Sequence, residues 1–72
     1  MGQIELTNPL LIARSGNTAI IVSADDRDNP MTPAQLWTPG EGYSAAKPLQ
    51  VHLKFLYYLE DVIPPEPWSE PA

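Results

Sequence analysis

The feature that most constrains this fold is the lack of a covalent or metal staple in a chain of only 72 residues. A chain of this size buries about 60% of the surface that its unfolded form exposes, so hydrophobic gain and chain entropy nearly cancel. The sequence has no cysteine and a single histidine, His52, which leaves neither disulfides nor the usual zinc ligands. Self-association is the remaining means of stabilisation, and we expect a homodimer or a higher oligomer.

The N-terminal third has the pattern of a β-hairpin. Apolar and polar residues alternate over residues 3–7, Pro9 interrupts the pattern, and the apolar run over residues 10–14 resumes the strand. β-branched residues dominate residues 18–23. Alternation at period two is typical of half-buried strands. Gly16 lies between the two runs and tolerates the positive φ of a tight turn. We therefore predict an antiparallel hairpin over residues 3–23.

The last apolar stretch, residues 49–60, also favours a strand. At period two its apolar residues share one face and its polar residues the other, whereas on a helix both sets scatter around the circumference. This predicts a long third strand and a mainly β fold, an antiparallel three-stranded sheet, with a small α+β fold as the near alternative. Leu56 and Tyr58 interrupt the polar face. We expect another chain or the preceding loop to cover them, which makes them candidate oligomer-interface residues.

The connection between hairpin and third strand, residues 24–47, is long for a compact domain and has one helix signal. Thr32 has the hydroxyl of an N-cap, Pro33 suits the first helical position, and an apolar pair follows. This predicts one short helix over residues 33–37.

The C-terminal segment, residues 64–72, has four prolines in nine residues. Such a segment is expected to be polyproline II or disordered rather than helix or sheet. It contains a Pro-x-x-Pro sequence, a weak match to SH3-type ligands. We therefore divide the chain into a single small domain, residues 1–63, and an acidic Pro-rich tail.

The net negative charge of the chain lies in the two segments without a clear strand pattern, residues 25–46 and 64–72. Residues 25–46 carry a net charge of −3 and residues 64–72 one of −2, which together account for the formal net charge of −5. This balance opposes direct binding to nucleic acid, whose phosphates require a basic surface. It is also consistent with simple solubility or with attraction to a basic protein surface.

No motif for catalysis, a cofactor or a metal stands in the sequence. Residues 25–36 and 26–37 both fail as an EF-hand loop, because they lack the glycine at position 6 and the glutamate at position 12. No serine lies in a Gly-x-Ser-x-Gly elbow, and no phosphate-binding loop is present. His52 is interpreted as an ordinary surface or interface histidine. We expect a protein that is not an enzyme and binds no cofactor.

The sequence also lacks the features of membrane or secreted proteins. The N-terminus has no basic segment followed by an apolar one, which argues against a signal peptide. The longest apolar runs are far shorter than the roughly 20 residues of a membrane span. We expect a cytoplasmic protein.

The isolated aromatic residues allow two interpretations. Trp37 and Tyr43 could cover the sheet or be exposed anchors for a partner, since Trp and Tyr are enriched at interface hot spots. Trp68 either docks onto the domain or contacts a partner. The leading hypothesis is a non-enzymatic protein-binding module, of the size and charge of phage or mobile-element inhibitors, that blocks a basic surface on a target. The candidate partner-binding residues are Asp25, Asp26, Asp28, Trp37, Glu41, Tyr43 and Trp68.

Two other hypotheses follow from the same sequence. A homo-oligomeric structural or assembly subunit would bury Leu56 and Tyr58 by pairing the last strand across a two-fold axis. An oligomer could also sequester a small ligand between its chains.

Overall fold

The computed structural model describes residues 3–55 and 61–71. Within them the chain forms strands, a short 3₁₀ helix over Ala24–Asp26 and one α-helix. The strands are β1 (Pro9–Ser15), β2 (Thr18–Ser23), β3 (Pro33–Thr38), β4 (Gly42–Tyr43), β5 (Lys47–Pro48) and β6 (Asp61–Pro67), and the helix is α1 (Leu49–Phe55).

The strands form one antiparallel sheet in the order β4-β3-β2-β1-β6, and β5 pairs with β3 on the same edge as β4. The mainly β class with an antiparallel sheet is therefore confirmed. The sheet has six strands rather than the predicted three.

The hairpin is confirmed, although its first strand is shorter than expected. β1 and β2 pair from Ser15↔Thr18 onward, across a turn in which Gly16 has φ 60°. Residues 3–7 are not a strand; Asn8 adopts φ 46° just before β1 begins. A register shift between Leu11 and Ala13 bulges β1, as an extra residue in one strand does.

The predicted helix over residues 33–37 is wrong, because this segment is β3. Its pairing with β2 runs from Ala19↔Trp37 to Val22↔Ala34. Proline is tolerated as the first residue of a strand, so Pro33 is compatible with both structures. Pairing with β2 on one side and with β4 and β5 on the other outweighs the local N-cap signal.

The predicted strand over residues 49–60 is also wrong over its first part, where α1 forms. The helix places Leu49 and His52 on its buried side and Gln50 and Leu53 on its exposed side. His52 is therefore buried, not a surface residue, and its Nε2 lies 2.8 Å from the backbone oxygen of Ala34. Leu56 and Tyr58 lie outside the described residues.

The C-terminal segment forms more structure than its prolines suggest. β6 pairs with β1, so the expectation that this segment could not join a sheet is wrong, and the boundary placed at residue 63 falls inside the strand. Between Leu11↔Glu66 and Ala13↔Val62 the register shifts. Pro64 and Pro65 fall in this irregularity, where a missing N–H costs no ladder bond.

The core lies on both faces of β2. On one face, Ile20 and Val22 pack with Ala13, Ala34 and Leu49 of the helix. On the other face, buried side chains belong to Leu11, Ile21 and Gln35. The N-terminal segment is tied to this second face, since the Glu5 N–H donates to Gln35 Oε1 at 2.9 Å.

Candidate functional site

Three aromatic side chains meet at one place on the molecule, and we call Trp37, Tyr43 and Trp68 the aromatic cluster. Trp37 on β3 is paired directly with Tyr43 on β4, which places the two side chains on the same face of the sheet. The rings of Trp37 and Trp68 have centroids 5.4 Å apart and planes inclined by 58°. The Trp68 indole Nε1–H donates to the Tyr43 hydroxyl at 2.9 Å.

The aromatic cluster connects the two outermost strands of the order β4-β3-β2-β1-β6. Tyr43 belongs to β4, at one end of the strand order, and Trp68 directly follows β6, at the other. The Trp68 backbone N–H donates to the Pro9 oxygen at 2.9 Å, so the tryptophan is attached to the start of β1. Trp68 therefore docks onto the domain, and the sheet curves so that its ends come together.

The aromatic cluster is only partly covered. Trp37, Tyr43 and Trp68 are each half-buried, so each leaves part of its side chain accessible to a partner. Offset and tilted aromatic rings at this separation stabilise one another beyond their area burial. The cluster therefore combines a structural role with an accessible aromatic surface.

Carboxylates flank the aromatic cluster. Burial raises the pKa of the Tyr43 phenol above 10.0 and the Glu70 carboxylate raises it further, while the hydrogen bond from Trp68 lowers it. Glu41 is exposed on the turn between β3 and β4, where Gly40 and Gly42 both have a positive φ. Together with Leu36, Thr38, Gly42, Tyr43 and Ser44, it lines a hollow of about 190 Å³.

The acidic turn, residues 25–28, lies elsewhere on the molecule. Asp25, Asp26 and Asp28 are all exposed and follow β2. The turn is well ordered, because the Asn29 amide donates to Asp26 Oδ2 at 2.8 Å and accepts the Met31 N–H at 2.9 Å. This turn follows the end of β2 that pairs with the start of β3, whereas Glu41 follows the end of β3. The strand β3 itself is six residues long, or about 17 Å.

The structure thus divides the predicted partner-binding residues into two groups. Trp37, Glu41 and Tyr43 lie at the C-terminal end of β3, and the Trp68 side chain packs against Trp37 and Tyr43 there. The three aspartates follow β2, whose last residue Ser23 pairs with Pro9. Because the Trp68 N–H donates to the Pro9 oxygen, the acidic turn begins only one strand away from the Trp68 backbone. Sequence reasoning missed Glu70, although its position two residues after Trp68 was a usable signal. It also missed the exposed Met31, which no local pattern marks.

Residues 3–55 and 61–71 contain no group of His, Cys, Asp and Glu side chains arranged to hold a metal ion. Within the same residues, no helix has the length and apolar character required to cross a membrane.

Comparison with protein-family models, with curated proteins and with solved structures finds no match to this chain.

Proposed function

We propose that this protein is a small non-enzymatic binding module that occupies a basic surface on a target protein and blocks it. The aromatic cluster, flanked by Glu41 and Glu70, would be the contact site. The observation that carries the proposal is the convergence of three half-buried aromatic side chains from β3, β4 and the C-terminal segment beside these two carboxylates.

The chemistry of this site suits lysine and arginine side chains. A cation placed over a tryptophan or tyrosine ring is attracted by the ring quadrupole, with arginine the more frequent partner. A nearby carboxylate adds a charge-assisted hydrogen bond to the same cation. Trp and Tyr are also the residues most enriched at interface hot spots. A basic segment of a target, with at least one exposed arginine, is therefore the ligand we propose.

The acidic turn contributes to this function from a distance. Its exposed carboxylates lie beyond the opposite end of β3 from Glu41 and share the sign of its charge. Complementary charge of this kind accelerates encounter and selects partners more than it adds affinity. The turn would steer a basic target while the aromatic cluster anchors it, in the cytoplasm and without direct contact to nucleic acid.

Affinity capture with charge-matched variants tests this proposal. Immobilised wild-type protein, the Glu41→Gln/Glu70→Gln variant and the Asp28→Asn/Glu66→Gln control are exposed to a cell lysate, and bound proteins are quantified by mass spectrometry. Both variants lose two negative charges, but only the first loses the two carboxylates that lie beside Tyr43.

We expect wild type and control to retain the same basic target, released by salt, and the Glu41→Gln/Glu70→Gln variant to retain at most a tenth of it. That loss corresponds to about 1.4 kcal/mol, within the range of charge-assisted hydrogen bonds. Equal retention by both variants would show that these carboxylates do not form the contact site.

A further inference from the structure

A second surface lies at the start of β3, at the end of the strand opposite Trp37 and Tyr43. It has an apolar groove from which the Met31 side chain protrudes. The groove of about 230 Å³ is lined by Met31, Pro33, Ala46, Lys47 and Pro48. Met31 is 57% exposed, compared with 38% for Ile4 and Leu53. A cavity of about 150 Å³ is large enough for benzene, so this groove has room for one methionine side chain.

The surface around the groove carries both signs of charge. Lys47 is exposed and lines the groove itself. The acidic turn is connected to Met31 through Asn29, whose amide bonds both the Asp26 carboxylate and the Met31 N–H. One patch thus contains an apolar protrusion, an apolar groove, a cation and a set of carboxylates. A patch with paired complementary features matches itself when it is rotated by a two-fold axis.

The described sheet edges are poorly suited to pairing with another chain. On the β4–β5 edge, the Ala46 N–H already donates to Glu5 Oε2 at 3.1 Å, and Pro48 has no N–H. β6 contains three prolines at positions 64, 65 and 67, which remove donors from the other edge. Association through extended strands is therefore disfavoured, which leaves the groove as the surface that fits a second copy.

We propose that two copies of this chain pair through the Met31 groove, each inserting its Met31 into the groove of the other. Lys47 of each copy would then face the acidic turn of its neighbour. A chain of this size without disulfides gains stability from such pairing. The groove lies at the end of β3 opposite Trp37 and Tyr43. The pairing therefore does not depend on the proposed function: it engages the acidic turn and leaves the aromatic cluster of each copy accessible.

Native mass spectrometry and sedimentation equilibrium over 1 µM to 1 mM test this pairing. Wild type should form a dimer of twice the 7.9 kDa chain mass. Met31→Gln should raise the dimer dissociation constant by about tenfold or more, since burial of a methionine side chain is lost. The Ile4→Gln control also removes an exposed apolar side chain, and it should leave the dissociation constant unchanged.

A charge exchange separates this interface from a nonspecific apolar contact. Lys47→Glu should weaken the dimer, and the Lys47→Glu/Asp28→Lys double variant should restore it. A wild-type monomer at 1 mM would overturn the proposal. A dimer that Met31→Gln and Lys47→Glu leave intact would overturn it as well.

Discussion

Individual polar residues hold remote parts of this small fold together. Gln35 is fully buried, accepts the Glu5 N–H through Oε1 and donates through Nε2 to the Ser44 oxygen at 2.7 Å. The Ser44 hydroxyl accepts the Leu36 N–H at 2.9 Å, so a side chain takes the place of a backbone acceptor where β4 leaves β3. No local pattern predicts such bonds, because Glu5 lies 30 positions from Gln35. Most buried polar side chains in proteins are paired in this way, because an unpaired buried polar group costs free energy.

The raised pKa of the Tyr43 phenol predicts that the folded protein loses stability at alkaline pH. Its folded-state pKa is raised above 10.0, so the folded protein holds the phenol proton more tightly than the unfolded chain does. The contribution of Tyr43 to the free energy of unfolding is therefore fully present below pH 10 and is lost as the pH rises through the folded-state pKa. Urea denaturation at intervals between pH 8 and pH 11.5 measures it.

Tyr43→Phe provides the control for this pH dependence. The other tyrosines are present in both proteins, so their titration cancels in the difference between the two profiles. We expect wild type to lose more stability than Tyr43→Phe above pH 10. Parallel profiles would contradict the account of the Tyr43 environment.

Secondary-structure elements were predictable from the sequence where their partners are close along the chain. The hairpin of β1 and β2 was correctly predicted, since its strands and turn all lie within residues 9–23. β3 was missed because its N-terminal residues also fit a helix start, and only pairing with β2, β4 and β5 selects the strand. α1 was missed because the helix is short and buries His52, so its buried side is not marked by apolar residues alone. Of the binding candidates, Trp37, Tyr43 and Trp68 were identified individually, but their convergence depends on the sheet order.

Substitution of Trp68 tests whether its contacts with Trp37 and Tyr43, which bring the outermost strands together, stabilise the fold. Trp68→Ala removes both the ring contact with Trp37 and the hydrogen bond to Tyr43. Core aromatic truncations cost about 3–5 kcal/mol, and because Trp68 is half-buried we expect a loss of about 1–3 kcal/mol. Urea denaturation followed by far-UV circular dichroism measures the loss.

Ser69→Ala provides the control, because it changes the exposed neighbour of Trp68. Its free energy of unfolding should stay within about 0.5 kcal/mol of the wild-type value. Equal urea midpoints for Trp68→Ala and Ser69→Ala would show that the Trp68 contacts add no stability.

At the scale of the whole molecule, β3 separates two surfaces with different chemistry. One end presents the aromatic cluster between Glu41 and Glu70, and the other presents the acidic turn and the Met31 groove. Under the proposed function, the net charge of −5 would attract basic partners, and the position of the aromatic side chains would decide where such a partner is held. The proposed function requires that a basic segment docks on the aromatic cluster rather than on the acidic turn.

The most direct measurement is a titration of the ¹⁵N-labelled protein with an acetylated, amidated peptide of alternating arginine and alanine, followed by two-dimensional NMR. The indole Nε1–H signals of Trp37 and Trp68 report on the aromatic cluster, and the backbone amides of residues 25–28 report on the acidic turn. We predict saturable shifts of both indole signals and of the Glu41 amide, with smaller, salt-sensitive shifts in the acidic turn. Saturable shifts confined to the acidic turn, or no saturable shift at either place, would contradict the account.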